Sequence, residues 1–594
     1  MKACLAALFF AGCGFLAVAQ AQDAPPVGAD QRFQAIHERE WDWRKQQFPG
    51  LGDDTEGSSR IDRLPHVDAA TQKQRLAVWN DVLDELDALP QAELSAAERI
   101  NFAIYRMQVA NLAAEVRFGA YEAPFNADSS FWSDLGFMTR KPLRSFEDAE
   151  DYIARLNDFP RYFDEQIVNM RAGLKRGFSV PRAVLPGRDA SIAVIAELTD
   201  PTASEFYTPL RELPASLSIE RQEQLRAAAA LAIAERVIPA YARLLAFFRK
   251  DYMARARKTL AAESLPNGKA YYRQQIREYT TLDLGADAIH RIGLDEVARI
   301  HSEMLETIRE AGFEGSFEEF LAFLREDPRF YPQSKEELLM RAAWIAKRVD
   351  GKLSRFFGVL PRGRFGIEEV PADIAPFWTA GRGGASTYWL NTYDLPSRPL
   401  YNLPALTLHE SAPGHSMQLS LAEEQTRQPE FRRNGYISAY GEGWGLYAEK
   451  LGVEMGIYTT PYEHFGRLSY EMWRACRLVI DTGVHSKGWS RDKALAYLRD
   501  HTALSEHEVT TEVDRYISWP GQALSYKLGE IRIVALRAEA ERELGTDFDI
   551  RAFHDAVLAQ GSVPLPVLEE QIRQFIADRK AAAAVKSEAA RAAG

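Results

Sequence analysis

Leu408-His409-Glu410-Ser411-Ala412-Pro413-Gly414-His415 places two imidazoles around one carboxylate within seven residues, in a chain of only eleven histidines. Neutral imidazole nitrogen is a good zinc ligand, and a carboxylate beside it, held off the ion, can take a proton from an activated water. The chemistry this suggests is hydrolysis.

The familiar form of such a device is His-Glu-x-x-His on a helix, where a spacing of four brings both rings to one face. Here the histidines are six apart, which leaves them about 120° out of register on an unbroken helix. Pro413 cannot donate to the carbonyl of His409 and its ring crowds it, so the helix kinks or ends there. Gly414 then permits backbone conformations that other residues avoid. Pro413 and Gly414 are therefore expected to loop out of a zinc-binding helix and swing His415 back toward His409 and Glu410. The plainer alternative is a helix terminus with two unrelated surface histidines; the spacing alone does not choose.

A third ligand would decide it. Ser438 to Leu451 reads as a helix, with Tyr440, Trp444, Tyr447 and Leu451 at helical spacing. Gly441, Gly443 and Gly445 each cost about 1 kcal/mol there against alanine. Small residues flanking Glu442 would let this backbone lie close to the histidine helix while the carboxylate reaches the metal. A solvated glutamate in a loosely packed helix is the alternative, and it leaves the glycines unexplained.

His-Glu-x-x-Pro-Gly-His followed by Tyr-x-Glu-Gly-Trp-x-x-Tyr resembles the bacterial family named domain of unknown function 885, grouped by likeness with zinc peptidases of the gluzincin type. The likeness covers about residues 30 to 575. It implies His409, His415 and Glu442 as ligands of one zinc ion and Glu410 as general base. It supports a metallopeptidase better than it supports any particular substrate.

The rest of the chain sets bounds. A formal net charge of −12 disfavours nucleic acid and gives no reason to expect an anionic membrane surface as partner. Met1 to Ala21 reads as an export leader, with Lys2, an apolar run and Ala19-Gln20-Ala21 as cleavage site. A periplasmic or secreted protein is expected, with lipid anchoring at Cys13 as the lesser alternative. No later run is long and apolar enough for a membrane span. Cys4 and Cys13 fall in the leader, so Cys476 stands alone, without a disulfide, as a core residue.

Helical periodicity predicts helices over Gln31–Gln47, Ala69–Leu89, Ala96–Ala114, Phe146–Gly173 and Ile219–Lys258. Ser316 with Glu319 and Ser505 with Glu508 have capping-box form. His290 and His301 lack a carboxylate at ligand spacing and are read as structural. Asp53–Ser59 and Asp200–Thr202 read as exposed turns. Ala385–Thr392 is aromatic and β-branched enough for a strand, either a small structural hairpin or the edge on which a peptide substrate could pair. Gly381, Gly383 and Gly384 before it read as a mobile lip or a plain turn. Downstream, a helix is expected to end near Gly483 with His485 beyond it, and Gln522–Leu544 to form a long final helix before a frayed tail from Ala581.

Peptide hydrolysis also needs a donor for the oxyanion. By likeness to helical zinc peptidases, His485 and Tyr526 are the nominees, with Tyr516 behind them. Arg474, Arg477, Arg515 and Lys527 are the cations best placed to meet a peptide carboxylate. The expected fold is mainly α, a large helical zincin-like metallopeptidase with a small β element beside the metal helix. Its parts are a leader (1–21), a helical scaffold (22–360), a metal-binding catalytic region (361–580) and a flexible tail (581–594), the two large parts enclosing a cleft. The expected function is zinc-dependent hydrolysis of short peptides; a metal-dependent amidase or esterase on a non-peptide substrate, and an inactive peptide-binding relative, are the alternatives.

Overall fold

Ser145, Ser316 and Ser505 each open a helix with a reciprocal capping box, to Asp148, Glu319 and Glu508 respectively, which satisfies backbone donors that helix starts leave over. The computed structural model describes residues 28–51, 60–372 and 374–593. The expected leader, with Cys4 and Cys13, and the turn expected over Asp53–Ser59 lie outside the described residues. The fold is mainly α. The predicted scaffold helices appear as Ala29–Gln47, Ala69–Asp87, Ala96–Phe118 and Phe146–Arg176, the last two closed by Gly119 and Gly177 in left-handed conformation. Between Ile219 and Arg255 the helical path widens twice into π segments, at Ile233–Val237 and Phe248–Tyr252.

The Pro461–His485 helix is the axis of the molecule: every residue from Phe465 to His485 is buried. A helix that is enclosed on all sides can carry charge only if the charge is paired. Arg467 meets Glu471 at 2.7 Å and Arg477 meets Glu512 at 2.6 Å. The Ala286–Glu310 helix runs along it, and a β-carbon at Gly293 would stand 2.8 Å from Leu478 and Val479, which is why the two backbones can approach. One continuous buried cluster includes Phe33 and Ile576, so the two large parts, 22–360 and 361–580, share a core.

The β element is a three-stranded sheet in the order β1 (Gly366–Glu369), β3 (Thr387–Leu390), β2 (Gly381–Gly383). β1 pairs parallel with β3, Ile367 opposite Tyr388; β2 pairs antiparallel, Arg382 opposite Trp389. Two expectations are corrected. The strand predicted over Ala385–Thr392 forms as Thr387–Leu390 in an antiparallel hairpin with β2, which is one of its two expected roles; the other, a substrate edge, fails because the strand is central with both ladders occupied. Of the glycines before it, Gly381 and Gly383 belong to β2, an edge strand, while Gly384 sits in the turn into β3, its N–H donating to the Thr387 carbonyl at 2.7 Å. The helix expected to stop near Gly483 extends to His485, and Gln522–Leu544 is a 3-10 turn followed by the Ser525–Leu544 helix. It is not the last helix, because Ile550–Leu558 and Leu565–Ala593 follow, the latter carrying helix through the expected tail. Among the described residues no helix is long and apolar enough to cross a membrane. Cys476 is buried and unpaired.

Candidate metal centre

The histidine helix breaks where proline predicts. Leu403–Glu410 ends at Glu410 and a second helix begins at His415, with four residues between them rather than two looped out of one helix. The peptide before Pro413 is cis. The break is buried and tied down: Gly414 N–H donates to the Leu408 carbonyl at 3.0 Å, and Trp444 Nε1 donates to the Pro413 carbonyl at 2.8 Å. The result is that the rings of His409 and His415 stand 4.8 Å apart and nearly perpendicular, at 87°.

Glu442 completes the group from the Ser438–Glu454 helix. Its Oε2 lies 3.4 Å from Nε2 of His409 and 3.4 Å from Nε2 of His415. This is long for a hydrogen bond between such groups. It matches the separation of about 3.3 Å expected for ligands bound at about 2.0–2.1 Å to one tetrahedral zinc ion. Tyr436 donates its hydroxyl to Oε1 of Glu442 at 3.2 Å, leaving Oε2 to face the rings. The close approach needs the glycines: a β-carbon at Gly445 would stand 2.6 Å from the His409 ring, and one at Gly443 would stand 2.5 Å from the backbone of Gly529.

A residue that the sequence reading missed supports the other side of His409. Glu449 Oε1 lies 2.8 Å from Nδ1 of that ring. Glu442 and Glu449 are seven apart, almost two helical turns, so they share a face with Gly445 between them. That spacing is a signal the sequence does contain. A carboxylate on Nδ1 fixes the tautomer that leaves Nε2 free, the usual support of a metal-ligating histidine.

Glu410 stands beside the ligands: ligand atoms of His409, Glu410 and His415 all lie within 4.8 Å of one another. Its Oε2 accepts a hydrogen bond of 2.7 Å from the Gly383 N–H, on edge strand β2. The electrostatics favour positive charge at this point. Burial disfavours a charged His409, but Glu442 and Glu449 outweigh it and push the ring up to about 10. Burial raises the Glu442 carboxyl, and His409 with His415 overcomes that and holds it well below the usual carboxylate range. Two imidazoles and a carboxylate sharing one point, with a carboxylate behind the ring, are a donor set that fits zinc.

A cavity of about 470 Å³ opens on these groups, lined also by Tyr279, Trp519, Tyr526 and Arg382, Arg474, Arg477 and Arg515. Tyr526 is therefore brought to the site; its ring is near-parallel to that of His409, at 20° and 6.4 Å. His485 is not brought there. It is fully buried, its Nδ1 accepts from the Ala262 N–H at 3.1 Å, and its Nε2 lies 2.9 Å from the Tyr516 carbonyl. Burial holds the ring down to about 3, so it stays neutral and both nitrogens serve the backbone. Tyr516 is a bracket for Trp473 and Arg477, which donate to its hydroxyl at 2.7 and 3.0 Å. Lys527 is neutralised by Glu471, Glu530 and Glu296 at 2.8, 2.8 and 3.0 Å. His290 meets Thr482 at 2.7 Å and His301 packs on Phe317, both away from the metal group. A second cluster, His66, Asp68 and Glu165, is already committed: Asp68 caps the Ala69–Asp87 helix and Arg161 holds Glu165 at 2.9 Å.

Among solved structures, this chain is similar to one from Colwellia psychrerythraea described as a putative lipoprotein, with 27% identity and a TM-score of 0.83, covering 93% of this chain and 100% of that one. A putative lipoprotein of unknown function from Shewanella oneidensis has the same fold, with a TM-score of 0.67 at 16% identity, covering 93% of this chain and 100% of that one. No curated protein matches. Residues 49–572, which contain the whole metal group, match the family described as "Bacterial protein of unknown function (DUF885)", and the chain belongs to that family.

Proposed function

We propose that this protein is a zinc-dependent hydrolase of gluzincin-like design that cleaves short peptides outside the cytoplasm. The observation that carries the reading is the single Glu442 oxygen equidistant, at 3.4 Å, from both histidine Nε2 atoms. His409, His415 and Glu442 would hold one zinc ion, which when bound supplies a Lewis acid that polarises the scissile carbonyl and acidifies water. Glu410, anchored through Oε2 by Gly383, has its other oxygen to take a proton from the attacking water and hand it to the leaving amine. Tyr526 donates its hydroxyl to the oxyanion. The cavity volume suits a short peptide rather than a folded chain, and edge strand β2 lies beside Glu410 where an extended substrate could pair. The leader supports export to the periplasm or beyond.

Metal analysis before and after chelation, with hydrolysis followed on blocked dipeptides and tripeptides beside simple esters and non-peptide amides, tests the reading. One zinc ion per chain is expected, with peptide hydrolysis lost on chelation, restored by zinc and abolished in Glu410→Gln with zinc retained. Absence of both zinc and hydrolysis would overturn it; turnover of esters or non-peptide amides alone would move it to the amidase or esterase class.

A further inference from the structure

Four guanidinium groups line the cavity: Arg382, Arg474, Arg477 and Arg515. Outside the metal group, three carboxylates answer them. Asp128 takes Arg382 at 3.0 Å through both oxygens, and Glu449 lies 3.3 Å from Arg474. Glu512 is shared, with Oε2 accepting from Arg477 Nη2 at 2.6 Å and Oε1 3.5 Å from Arg515 Nη1. The wall carries one cation more than it has anions to match.

Arg474, paired with Glu449, also keeps a buried Nε without a hydrogen-bond partner, but only Arg477 and Arg515 divide a single carboxylate. Arg477 is 1% exposed, and its Nη1 is buried without a hydrogen-bond partner; Nε of Arg515 is in the same condition. A charged donor left unsatisfied in a buried wall is expensive, and a guanidinium fork matches a carboxylate in shape and charge. Arg477 is also held ready. Tyr516 accepts from its Nε, and its guanidinium sits 4.4 Å from the Trp473 ring and 4.0 Å from the Tyr526 ring. The Tyr526 ring in turn lies 6.4 Å from that of His409 and near-parallel to it, so Arg477 is one aromatic ring away from the candidate ligands.

We infer that Arg477 and Arg515 form a subsite for the C-terminal carboxylate of a peptide, which makes this a carboxypeptidase-type enzyme. The inference rests on the metallopeptidase reading. With the carboxylate anchored there, the peptide bond over the metal group is close to the chain's C-terminus. Its C–N bond breaks and a C–O bond to water forms. The water's oxygen enters the new carboxylate; one of its protons passes through Glu410 to the leaving nitrogen and the second follows from the new acid, so that the C-terminal fragment leaves with an ammonium group.

The test is calorimetric binding of an N-acetylated tripeptide, as free acid and as C-terminal amide, to zinc-loaded and metal-free Glu410→Gln protein, with hydrolysis of the same pair by the wild type. The acid is expected to bind at least about 30-fold more tightly, as befits a buried charge pair. Arg515→Gln should collapse that ratio with zinc content and thermal midpoint retained, and Arg515→Lys, which keeps the charge and loses the fork, should leave an intermediate ratio. Equal binding of acid and amide overturns the subsite. So does a preference that survives in Arg515→Gln: if it needs zinc, the carboxylate is held by the ion, and if it does not, the two guanidinium groups do not act as a pair. If acid and amide are hydrolysed alike, the peptidase reading stands and the subsite falls. If the protein takes no zinc and hydrolyses nothing while its metal-free form still prefers the acid, the subsite stands and the peptidase reading falls.

Discussion

Glu449 holds Nδ1 of His409 at 2.8 Å while Glu442, seven residues earlier on the same helix, faces Nε2 of the same ring at 3.4 Å. One helix thus grips one imidazole from both sides. Because a carboxylate behind a ligating histidine fixes its orientation and raises its basicity, Glu449→Gln should weaken zinc binding about 10–100-fold. Competition with a chromogenic chelator measures this; unchanged affinity would leave Glu449 a purely structural partner of Arg474.

Gly445 lies between those two carboxylates, against the His409 ring. Gly445→Ala should raise intrinsic helix propensity yet destabilise the protein by about 1–3 kcal/mol, since the methyl has no space and the ring must move. Zinc content should fall with it. Chemical denaturation and metal analysis of the same preparation decide between this and a gain in stability, which would mean that the helices can part freely.

Tyr526 and His485 are expected to separate in a paired experiment. Tyr526→Phe should lower kcat by about 100-fold or more while leaving KM and the thermal midpoint near those of the wild type, the pattern of a lost transition-state donor. His485→Ala should do the reverse: it removes two buried backbone partners and should cost about 2–4 kcal/mol of stability, with zinc stoichiometry unchanged.

Asp481 gives a pH dependence. Burial pushes its carboxyl up to about 7 from an ordinary 3.8, despite hydrogen bonds from the Tyr272 hydroxyl and the Gly521 N–H. Between about pH 4 and pH 7 the folded protein keeps a proton there that the unfolded chain gives up. Stability from this group is therefore complete below about pH 4 and fades as pH rises to about 7, by on the order of 4 kcal/mol at most. Asp481→Asn cannot titrate, so its unfolding free energy should fall less steeply than the wild type's from pH 5 to 8. Parallel curves would place the Asp481 pKa elsewhere.

Much of the frame was legible because it is local. Ser316 with Glu319 and Ser505 with Glu508 announce helix starts through contacts three residues long, and Pro413 forbids an unbroken helix through His415 by its ring alone. The strand near Tyr388 was legible as a strand but not as the middle of a sheet, because which edges are covered depends on Gly366 and Gly381, supplied from elsewhere in the chain. Glu449 was visible only as heptad spacing from Glu442, and Tyr436 gave no signal at all. His485 was misplaced since a histidine just past a helix end reads the same whether it faces a cavity or the Ala262 and Tyr516 backbone.

By itself the sequence determined the inventory: two imidazoles misphased by a proline, a glutamate among glycines, helices capped by their own serines, because each is fixed by the sterics and hydrogen bonds of neighbouring residues. Only the tertiary structure decided the convergence, bringing one oxygen of Glu442 equidistant from His409 and His415, leaving Arg477 and Arg515 with one carboxylate between them and turning His485 away. Those distances are set by how closely separate helices pack, and packing depends on the whole core at once.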